Sequence, residues 1–415
     1  MPRPIKFLQV TTFYPPHSFG GDAVYVHRLS QALADQGHEV DVVHCVDSFR
    51  LAGTPEGPPS PEHPRVTVHS LRSPYGVLSP LLSHQSGRPW LKDRSLGELF
   101  RQRRFDVIHF HNISLFGPRV LDAGGRDAVK LYTTHEYWLV CPTHVLWKFD
   151  RELCRRPQCL GCVLRAGRPP QLWRYTNLLS NSARSVDQFV APSRFTAELH
   201  AERGFDRPFE YLPNFCDRAD ADWRDPGARP NPRPYFLYVG RLETIKGLQT
   251  LIPSWRRVDG FDLLVAGCGT LDQEMRALAD GIPGVRFLGH VRQPDIGRFY
   301  AHARALIVPS LTYEVFALVT VEALARKTPI IARDLGGLTE VVADSGGGLT
   351  YRDEAGLIEC VHTLGPDSDV RSELAESGYR YYTAYLTREA HLNRYLEIVR
   401  NAACAKFGRI PWEAQ

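Results

Sequence analysis

Two basic and two acidic side chains occur in an order that suits a sugar joined to a diphosphate. Arg241 and Lys246 lie five residues apart in GRLETIKG, directly after a short apolar run. An Arg fork and a Lys point charge placed together suit phosphate oxygens. Glu314 and Glu322 follow with seven residues between them, and carboxylates accept hydrogen bonds from sugar and ribose hydroxyls. Arg241 and Lys246 alone could equally be surface cations on a loop. The basic pair and the acidic pair together favour a ligand-binding role more than either pair does by itself.

The two glutamates flank the expected start of a helix, which the pattern places at Val315, Phe316, Ala317 and Leu318. Free N–H groups and the positive dipole end at such a start attract phosphate. One loop acid and one helix-surface acid would be the plainer interpretation. Against it, Glu322 stands in an apolar stretch, where a carboxylate needs a partner.

The first half of the chain offers glycines and histidines at strand ends. Gly20 and Gly21 follow the first expected strand and open a helix, which allows close backbone approach to a ligand. His111 ends another strand and can reach the adjoining cleft, and His135 ends a third and could join it. A structural role is the commoner one for any single histidine. We favour function for His111 and leave His135 open.

Four of the nine cysteines fall within 22 residues, with the spacing C-x12-C-x4-C-x2-C. They are Cys141, Cys154, Cys159 and Cys162. Only the last pair has the spacing typical of a metal site. A zinc ion held by all four thiolates would supply folding energy to a loop with little core of its own. Free or partly packed thiols are the alternative, and the spacing does not choose between them.

Short β-branched runs alternate with helical patterns, which predicts an α/β fold with parallel sheets. The predicted strands are Ile5–Val10, Val40–His44, Arg65–His69, Val107–Phe110, Val129–Thr133, Gln188–Ala191, Tyr235–Val239, Asp262–Ala266, Val285–Leu288, Ala305–Val308 and Pro329–Ala332. The alternation breaks in a Pro-, Arg- and Asp-rich linker at 217–234. We therefore expect an N-terminal Rossmann-like domain at 1–216, with a Cys-rich insertion at 136–168. A second such domain at 235–385 would face it across a cleft, and a helical segment at 386–415 could pack back on the first domain. Ser48–Pro64 and Ser73–Arg94 read as loops over the cleft.

The bulk composition suits two globular domains: 415 residues, 43% hydrophobic and 23% charged. A net charge of +4 is too small to indicate a nucleic-acid partner. No apolar run is long enough to span a bilayer, and the N-terminus lacks a signal-peptide layout, so we expect a cytoplasmic protein. Arg101, Arg103 and Arg104, with Arg165, Arg168 and Arg174, form basic clusters that are either solvated or a patch for an anionic lipid-linked acceptor.

The motifs GRLETIKG and E-x7-E, with LLVAGCG and FLGHV between them, resemble the retaining glycosyltransferases of family 4, which have the two-Rossmann GT-B fold. The resemblance implies Arg241 and Lys246 on the donor diphosphate, Glu322 on the ribose, and Glu314 on the sugar hydroxyls. It also implies that His111 contacts the donor sugar and that Gly289, His290 and Val291 lie near the base. A subset of the family has a similar cysteine stretch, which favours the metal. Ala317 and Lys327 depart from the family, which often has Gly at both positions.

The expected activity is therefore transfer of a hexose-type sugar from a UDP-sugar or GDP-mannose to a saccharide, lipid-linked or small-molecule acceptor. We expect His111, Glu314, Arg241 and Lys246 to be catalytic. No metal is required for the chemistry, because Arg241 and Lys246 can balance the leaving diphosphate. Two alternatives are a nucleotide-sugar 2-epimerase of the same fold and a non-catalytic nucleotide-sugar-binding protein. Contact with the inner face of a membrane is a further expectation.

Overall fold

The computed structural model describes residues 3–18, 20–53, 56, 60–217, 227–365 and 368–413. In them, a parallel sheet of seven strands forms the first half of the chain. Its strands are β1 (Lys6–Val10), β2 (Glu39–Cys45), β3 (Val66–Leu71), β4 (Val107–Phe110), β5 (Val129–Thr133), β8 (Gln188–Ala191) and β9 (Phe209–Tyr211). They lie in the order β3-β2-β1-β4-β5-β8-β9. Between β5 and β8 the Cys-rich insertion adds a small antiparallel hairpin, β6 (Trp147–Lys148) and β7 (Glu152–Leu153).

A second parallel sheet of six strands forms the other half. Its strands are β10 (Tyr235–Val239), β11 (Asp262–Ala266), β12 (Val285–Gly289), β13 (Leu306–Val308), β14 (Ile330–Arg333) and β15 (Gly348–Tyr351). Their order is β12-β11-β10-β13-β14-β15. Two Rossmann-like sheets in one chain are the predicted α/β architecture.

Helices connect the strands and cover the sheets. In the first half they are α1 (Gly21–Asp35), α2 (Val46–Ala52), α3 (Leu78–Ser86), α4 (Asp93–Gln102), α5 (Cys159–Arg165), α6 (Leu178–Ala183) and α7 (Arg194–Glu202). In the second half they are α8 (Leu248–Ser254), α9 (Asp272–Leu278), α10 (Gln293–His302), α11 (Leu318–Leu324), α12 (Gly337–Ser345), α13 (Glu354–Leu364), α14 (Asp369–Tyr381) and α15 (Arg388–Phe407). Successive side chains of a strand point to opposite faces of the sheet, so neighbouring residues are buried in different cores. Phe7 packs with α1 on one face, and Leu8 packs on the other face.

The last helix returns to the first sheet. Leu392, Tyr395 and Ile398 of α15 are buried in the same core as Phe7 and Tyr25. The residues just before α15 belong to the second core, which contains Tyr382 and Leu386. The C-terminal segment therefore ties the two halves together by burying apolar side chains in both.

Two loop predictions need comment. Ser73–Arg94 is not a loop throughout, because it contains α3 and the start of α4. Pro80 lies in the first turn of α3, where its missing N–H costs no hydrogen bond. Gly87 caps the helix in a left-handed conformation. The loop prediction for Ser48–Pro64 is also wrong at its start, because α2 (Val46–Ala52) extends into it. The rest of that insertion and the predicted linker at 217–234 lie partly outside the described residues.

Among the described residues, none of the helices is both long and apolar enough to cross a membrane.

Candidate functional site

A cleft of about 850 Å³ lies where the two sheets face each other. The strand order reverses between β1 and β4 in one sheet and between β10 and β13 in the other. Ligands of open α/β sheets bind at the carboxyl ends of strands at such reversals. Gly20, Gly21 and His135 line the cleft from the first half, and Arg241 and Glu314 line it from the second.

Lys246 and Glu314 come from different loops and form an ion pair in this cleft. Lys246 Nζ donates to Glu314 Oε1 at 2.7 Å, and Ser310 Oγ donates to the same oxygen at 2.6 Å. The loops are held together by Leu311 N donating to Ile245 O at 2.8 Å. Burial raises the pKa of Glu314, but the Lys246 charge and the two hydrogen bonds outweigh it and lower that pKa below its ordinary value. Glu314 is therefore a carboxylate, ready to accept hydrogen bonds from hydroxyls.

Arg241 stands beside this pair at the end of β10. Its carbonyl oxygen accepts from Tyr238 Oη at 2.9 Å, which fixes the backbone turn. The guanidinium is half exposed and Nη1 donates to Glu243 Oε1 at 2.6 Å. An exposed pair of this kind is weak, so the guanidinium can turn toward an anionic ligand at little cost.

The loop that carries Glu314 packs on the Cys-rich insertion. Thr312 Oγ1 donates to Val145 O at 2.5 Å. Val315 is buried among Tyr137, Cys141 and Leu146 of the insertion. Its carbonyl oxygen also accepts from Ser193 Oγ at 2.8 Å. The first half of the chain therefore holds the loop that positions Glu314. The predicted phosphate- or sugar-facing residues Val315, Phe316, Ala317 and Leu318 all line the cleft.

Glu322 does not line the cleft in this structure. It is 7% exposed, and its two oxygens accept from Arg28 Nη2 at 3.3 Å and from Tyr300 Oη at 3.0 Å. Arg28 lies on α1, so this buried pair joins helices of the two halves. Glu322 therefore has the partners that a carboxylate in an apolar stretch needs. In this structure they are the side chains of Arg28 and Tyr300 rather than a ribose.

The three residues expected near the base are also set apart from the cleft. Gly289, His290 and Val291 follow β12 at the end of the second sheet and do not line the 850 Å³ space. Gly289 O accepts from Gly267 N at 2.8 Å, and His290 is exposed. Their position near the donor base stays a prediction.

His135, not His111, faces the cleft. His111 is 1% exposed, and its ring nitrogens are bonded to Gln9 Oε1 at 2.7 Å and His135 Nε2 at 3.0 Å. Direct contact of His111 with a sugar is therefore not compatible with this arrangement. Gln9 Oε1 requires the proton on His111 Nε2, so His135 Nε2 donates to His111 Nδ1. His135 Nδ1 is then an acceptor, and no hydrogen bond joins it to another described residue.

Two carboxyl groups in the cleft were missed from the sequence. Asp22 and Glu136 line the wall that carries His135. Burial and the nearby Glu136 charge raise the pKa of Asp22 to about 6, against a hydrogen bond from Asn112 Nδ2 at 3.2 Å. Glu136 Oε2 pairs with His144 Nδ1 at 2.8 Å, and Glu136 Oε1 has no partner among the described residues. The sequence could have indicated both acids, since each directly follows a candidate site residue: Asp22 follows Gly21, and Glu136 follows His135.

The four clustered cysteines do not form a zinc site. No three His, Cys, Asp or Glu side chains among the described residues are arranged to hold a metal ion. Cys141 and Cys154 pack in the apolar cluster around Val315. Burial raises the pKa of the Cys154 and Cys159 thiols. The zinc prediction is not supported, and all four residues are free thiols.

Sequence and structure comparisons now give the family. Residues 19–220 match the model described as Glycosyltransferase Family 4, and residues 233–367 match Glycosyl transferases group 1. The chain belongs to glycosyltransferase family 4, with the GT-B fold, and is a glycosyltransferase.

Individual relatives span nearly the whole chain. A protein named glycogen synthase from Mycobacterium tuberculosis (strain ATCC 25618 / H37Rv) is 28% identical over 407 residues, covering 92% of this chain and 91% of that protein. The structure of sucrose-phosphate synthase from Thermosynechococcus elongatus superposes with a TM-score of 0.72 at 21% identity, covering 97% of this chain and all of that one. Anabaena HepE in complex with UDP and glucose gives 0.65 at 16% identity, covering 96% and 100%.

Proposed function

We propose that this glycosyltransferase moves a hexose-type sugar from a nucleoside diphosphate to a hydroxyl of a saccharide, lipid-linked saccharide or small molecule, with retention of anomeric configuration. The Lys246–Glu314 pair at the second strand-order reversal is the observation that supports this most. A UDP-sugar and GDP-mannose are both candidate donors. The complex of HepE with UDP and glucose and the name glycogen synthase support a nucleotide-sugar donor and a saccharide acceptor. Polysaccharide or glycoconjugate biosynthesis is the expected setting.

The donor end of the proposed site uses charges already in place. As the bond from the anomeric carbon to the phosphate oxygen breaks, negative charge develops on the leaving diphosphate. Arg241 and Lys246 would stabilise that charge as it develops. Glu314, held ionised by Lys246 and Ser310, would accept hydrogen bonds from the sugar hydroxyls.

Ribose contact by Glu322 would require an exchange of partners. The carboxylate would give up Arg28 or Tyr300 and accept ribose hydroxyls instead. Because Arg28 belongs to the first half and Glu322 to the second, such an exchange would loosen the contact between α1 and α11. We therefore propose Glu322 as a donor ligand only in a more open arrangement of the two halves.

The acceptor end would lie on the opposite wall. His135 Nδ1 is an acceptor directed by the Gln9–His111–His135 hydrogen bonds, and we assign it to a hydroxyl of the transferred sugar. His111 becomes the residue that orients His135. Asp22 and Glu136 would accept hydrogen bonds from the acceptor. In a front-face substitution the acceptor oxygen bonds to the anomeric carbon on the side that the phosphate leaves, and the proton passes to the leaving phosphate.

The activity is tested by nucleoside diphosphate release from UDP-glucose, ADP-glucose and GDP-mannose, each with and without saccharide acceptors. We expect release from at least one donor that is accelerated by an acceptor. Glu314→Gln should lower this rate by about 100-fold or more. Glu376→Gln, which affects an exposed pair with Lys327 elsewhere in the same half, should match wild type. Acceptor-independent conversion of the donor sugar would indicate an epimerase, and stabilisation by donor without turnover a binding protein.

A further inference from the structure

Exposed apolar side chains are concentrated on one side of the first half. Of the fourteen large apolar side chains that the described residues expose, ten fall between residues 75 and 175. The first group surrounds α3: Leu78 is 56% exposed, Tyr75 62% and Trp90 59%, and Val77 and Leu82 are also exposed. Single exposed apolar residues are ordinary, but a group on one helix and its flanks marks an interaction surface.

The second group lies on α5 and the turn that follows it. Leu160 and Leu164 are 50% and 58% exposed, and Leu172 and Tyr175 are 69% and 67% exposed. Leu160 and Leu164 are four residues apart on a helix, so they point to the same side. Leu160 and Tyr175 also line a common groove of about 450 Å³.

Hydrogen bonds join the two groups into one surface. Trp173 Nε1 donates to His84 O at 2.9 Å, and Gln85 Nε2 donates to Pro169 O at 3.5 Å. We call residues 75–90 and 160–175 together the apolar face. Its edge reaches the cleft, because Leu81, His84 and Arg168 line both.

The segments that form the apolar face carry only positive charge, and the groove beside them is lined by four arginines and one carboxylate, Asp206. The chain has 46 Asp and Glu residues, yet none lies between His63 and Lys92 or between Leu153 and Val186. Exposed arginines occur in both stretches, among them Arg72, Arg88, Arg155, Arg156 and Arg165. In the groove, Arg174 Nη2 has no acceptor among the described residues. An apolar surface whose own segments hold arginines and no carboxylate is complementary to anionic lipid headgroups over an acyl boundary.

We propose that the apolar face docks the protein on an anionic lipid bilayer. The apolar side chains insert at the level of the headgroups, and the arginines bind lipid phosphates. Docking places the entrance of the cleft at the bilayer surface, within reach of an acceptor held there. A second copy of the chain is a poorer occupant, because a symmetric contact would set the arginine rim against itself.

The test is co-sedimentation of the full chain with vesicles of phosphatidylcholine and phosphatidylglycerol, against vesicles of phosphatidylcholine alone. We expect binding to the anionic vesicles only, weakened by salt. Leu164→Ser/Leu172→Ser/Tyr175→Ser and, separately, Arg155→Gln/Arg156→Gln should each lower the bound fraction about tenfold. Val370→Ser/Tyr385→Ser, which alters exposed apolar residues of the second half, should bind like wild type.

A second readout does not depend on the stability of the triple variant. Brominated phosphatidylcholine in the anionic vesicles should quench part of the tryptophan fluorescence, and Trp90→Phe should remove that part. Failure of wild type to bind anionic vesicles overturns the proposal. So does equal loss in the Val370/Tyr385 control, or a concentration-dependent dimer that the triple variant abolishes. None of these outcomes depends on turnover, so the proposal and the proposed activity can fail separately.

Discussion

His135 and Asp22 lie on the same wall of the cleft, and burial favours the uncharged form of both side chains. Burial lowers the pKa of His135 to about 3, so its ring is neutral at physiological pH. Burial and the Glu136 charge raise the pKa of Asp22 to about 6. Groups shifted in this way commonly serve binding or catalysis rather than stability.

His135→Phe should lower the rate of nucleoside diphosphate release by about 100-fold. The variant removes the Nδ1 acceptor that faces the cleft, while the half-buried position keeps a ring of similar shape. The thermal unfolding midpoint should change little. A rate close to that of wild type would remove His135 from the catalytic group.

Asp22→Asn should stabilise the protein at neutral pH while impairing transfer. The folded-state pKa of Asp22 lies above its ordinary value of 3.8, so the folded state binds the proton more tightly. The resulting stability is present below about pH 4 and is lost as pH rises through about 6. At pH 7 the variant should gain roughly 1–2 kcal/mol in the free energy of unfolding, a value reduced for partial exposure. Urea unfolding at pH 4 and pH 7 measures this, and a constant difference would contradict the assignment.

At the scale of elements, α1 and α11 are joined by the Arg28–Glu322 pair. Both side chains are less than 10% exposed, so removing one partner leaves a buried charge. Arg28→Met should therefore cost about 3–5 kcal/mol of stability, and Glu322→Met should cost a similar amount because it leaves the Arg28 guanidinium buried without this carboxylate. The double variant should be more stable than Arg28→Met alone, since replacing both charges avoids the desolvation penalty. Simple additivity in this double-mutant cycle would show that the two groups do not interact.

Strands were easier to predict from the sequence than the helices of the first half. β4, β5, β8, β10 and β11 have the predicted bounds, because buried parallel strands read as short apolar runs. Phe209–Tyr211 and Gly348–Tyr351 were missed, since edge strands of three or four residues give little pattern. α3 was read as a loop because Pro and Ser obscured its start.

The positions of the candidate donor-site residues were predictable where the residues follow a strand of the sheet. Arg241, Lys246 and Glu314 follow strands β10 and β13 directly, so the sequence placed them at one edge of the sheet. Which of His111 and His135 faces the cleft depends on how β4 packs against β5, and the sequence does not show this packing. Arg28 could not be predicted as the partner of Glu322, because the two residues are brought together only by the contact of the two halves.

At the scale of the whole molecule, buried histidines should make the fold sensitive to acid. Burial lowers the pKa of His109 and His111 well below the ordinary value, and those of His200 and His391 to about 4. The unfolded chain therefore binds more protons below about pH 6.5, and stability falls as pH decreases from 7 toward 4. Thermal unfolding at pH 5 and pH 7 tests this; an equal or higher midpoint at pH 5 would contradict it.

The arrangement of the two halves also gives the loop that carries Glu314 contacts with the first half. Thr312 and Val315 are held by the Cys-rich insertion, and Cys141 and Cys154 contribute to this contact by packing. The carboxylate of Glu314 is thereby fixed next to Lys246 before any donor arrives. Such preorganisation lowers the cost of stabilising a developing charge.

The most direct test of the donor site is calorimetric titration of UDP, ADP and GDP into the wild-type chain, Lys246→Met and Lys327→Met. Lys327 forms a comparable pair with Glu376 at 2.6 Å in the same half, away from the cleft. The account predicts that Lys246→Met raises the Kd of the preferred nucleotide at least about tenfold, while Lys327→Met leaves it unchanged. An unaltered Kd in Lys246→Met, or an equal loss in both variants, would contradict the assignment of Lys246 to the diphosphate.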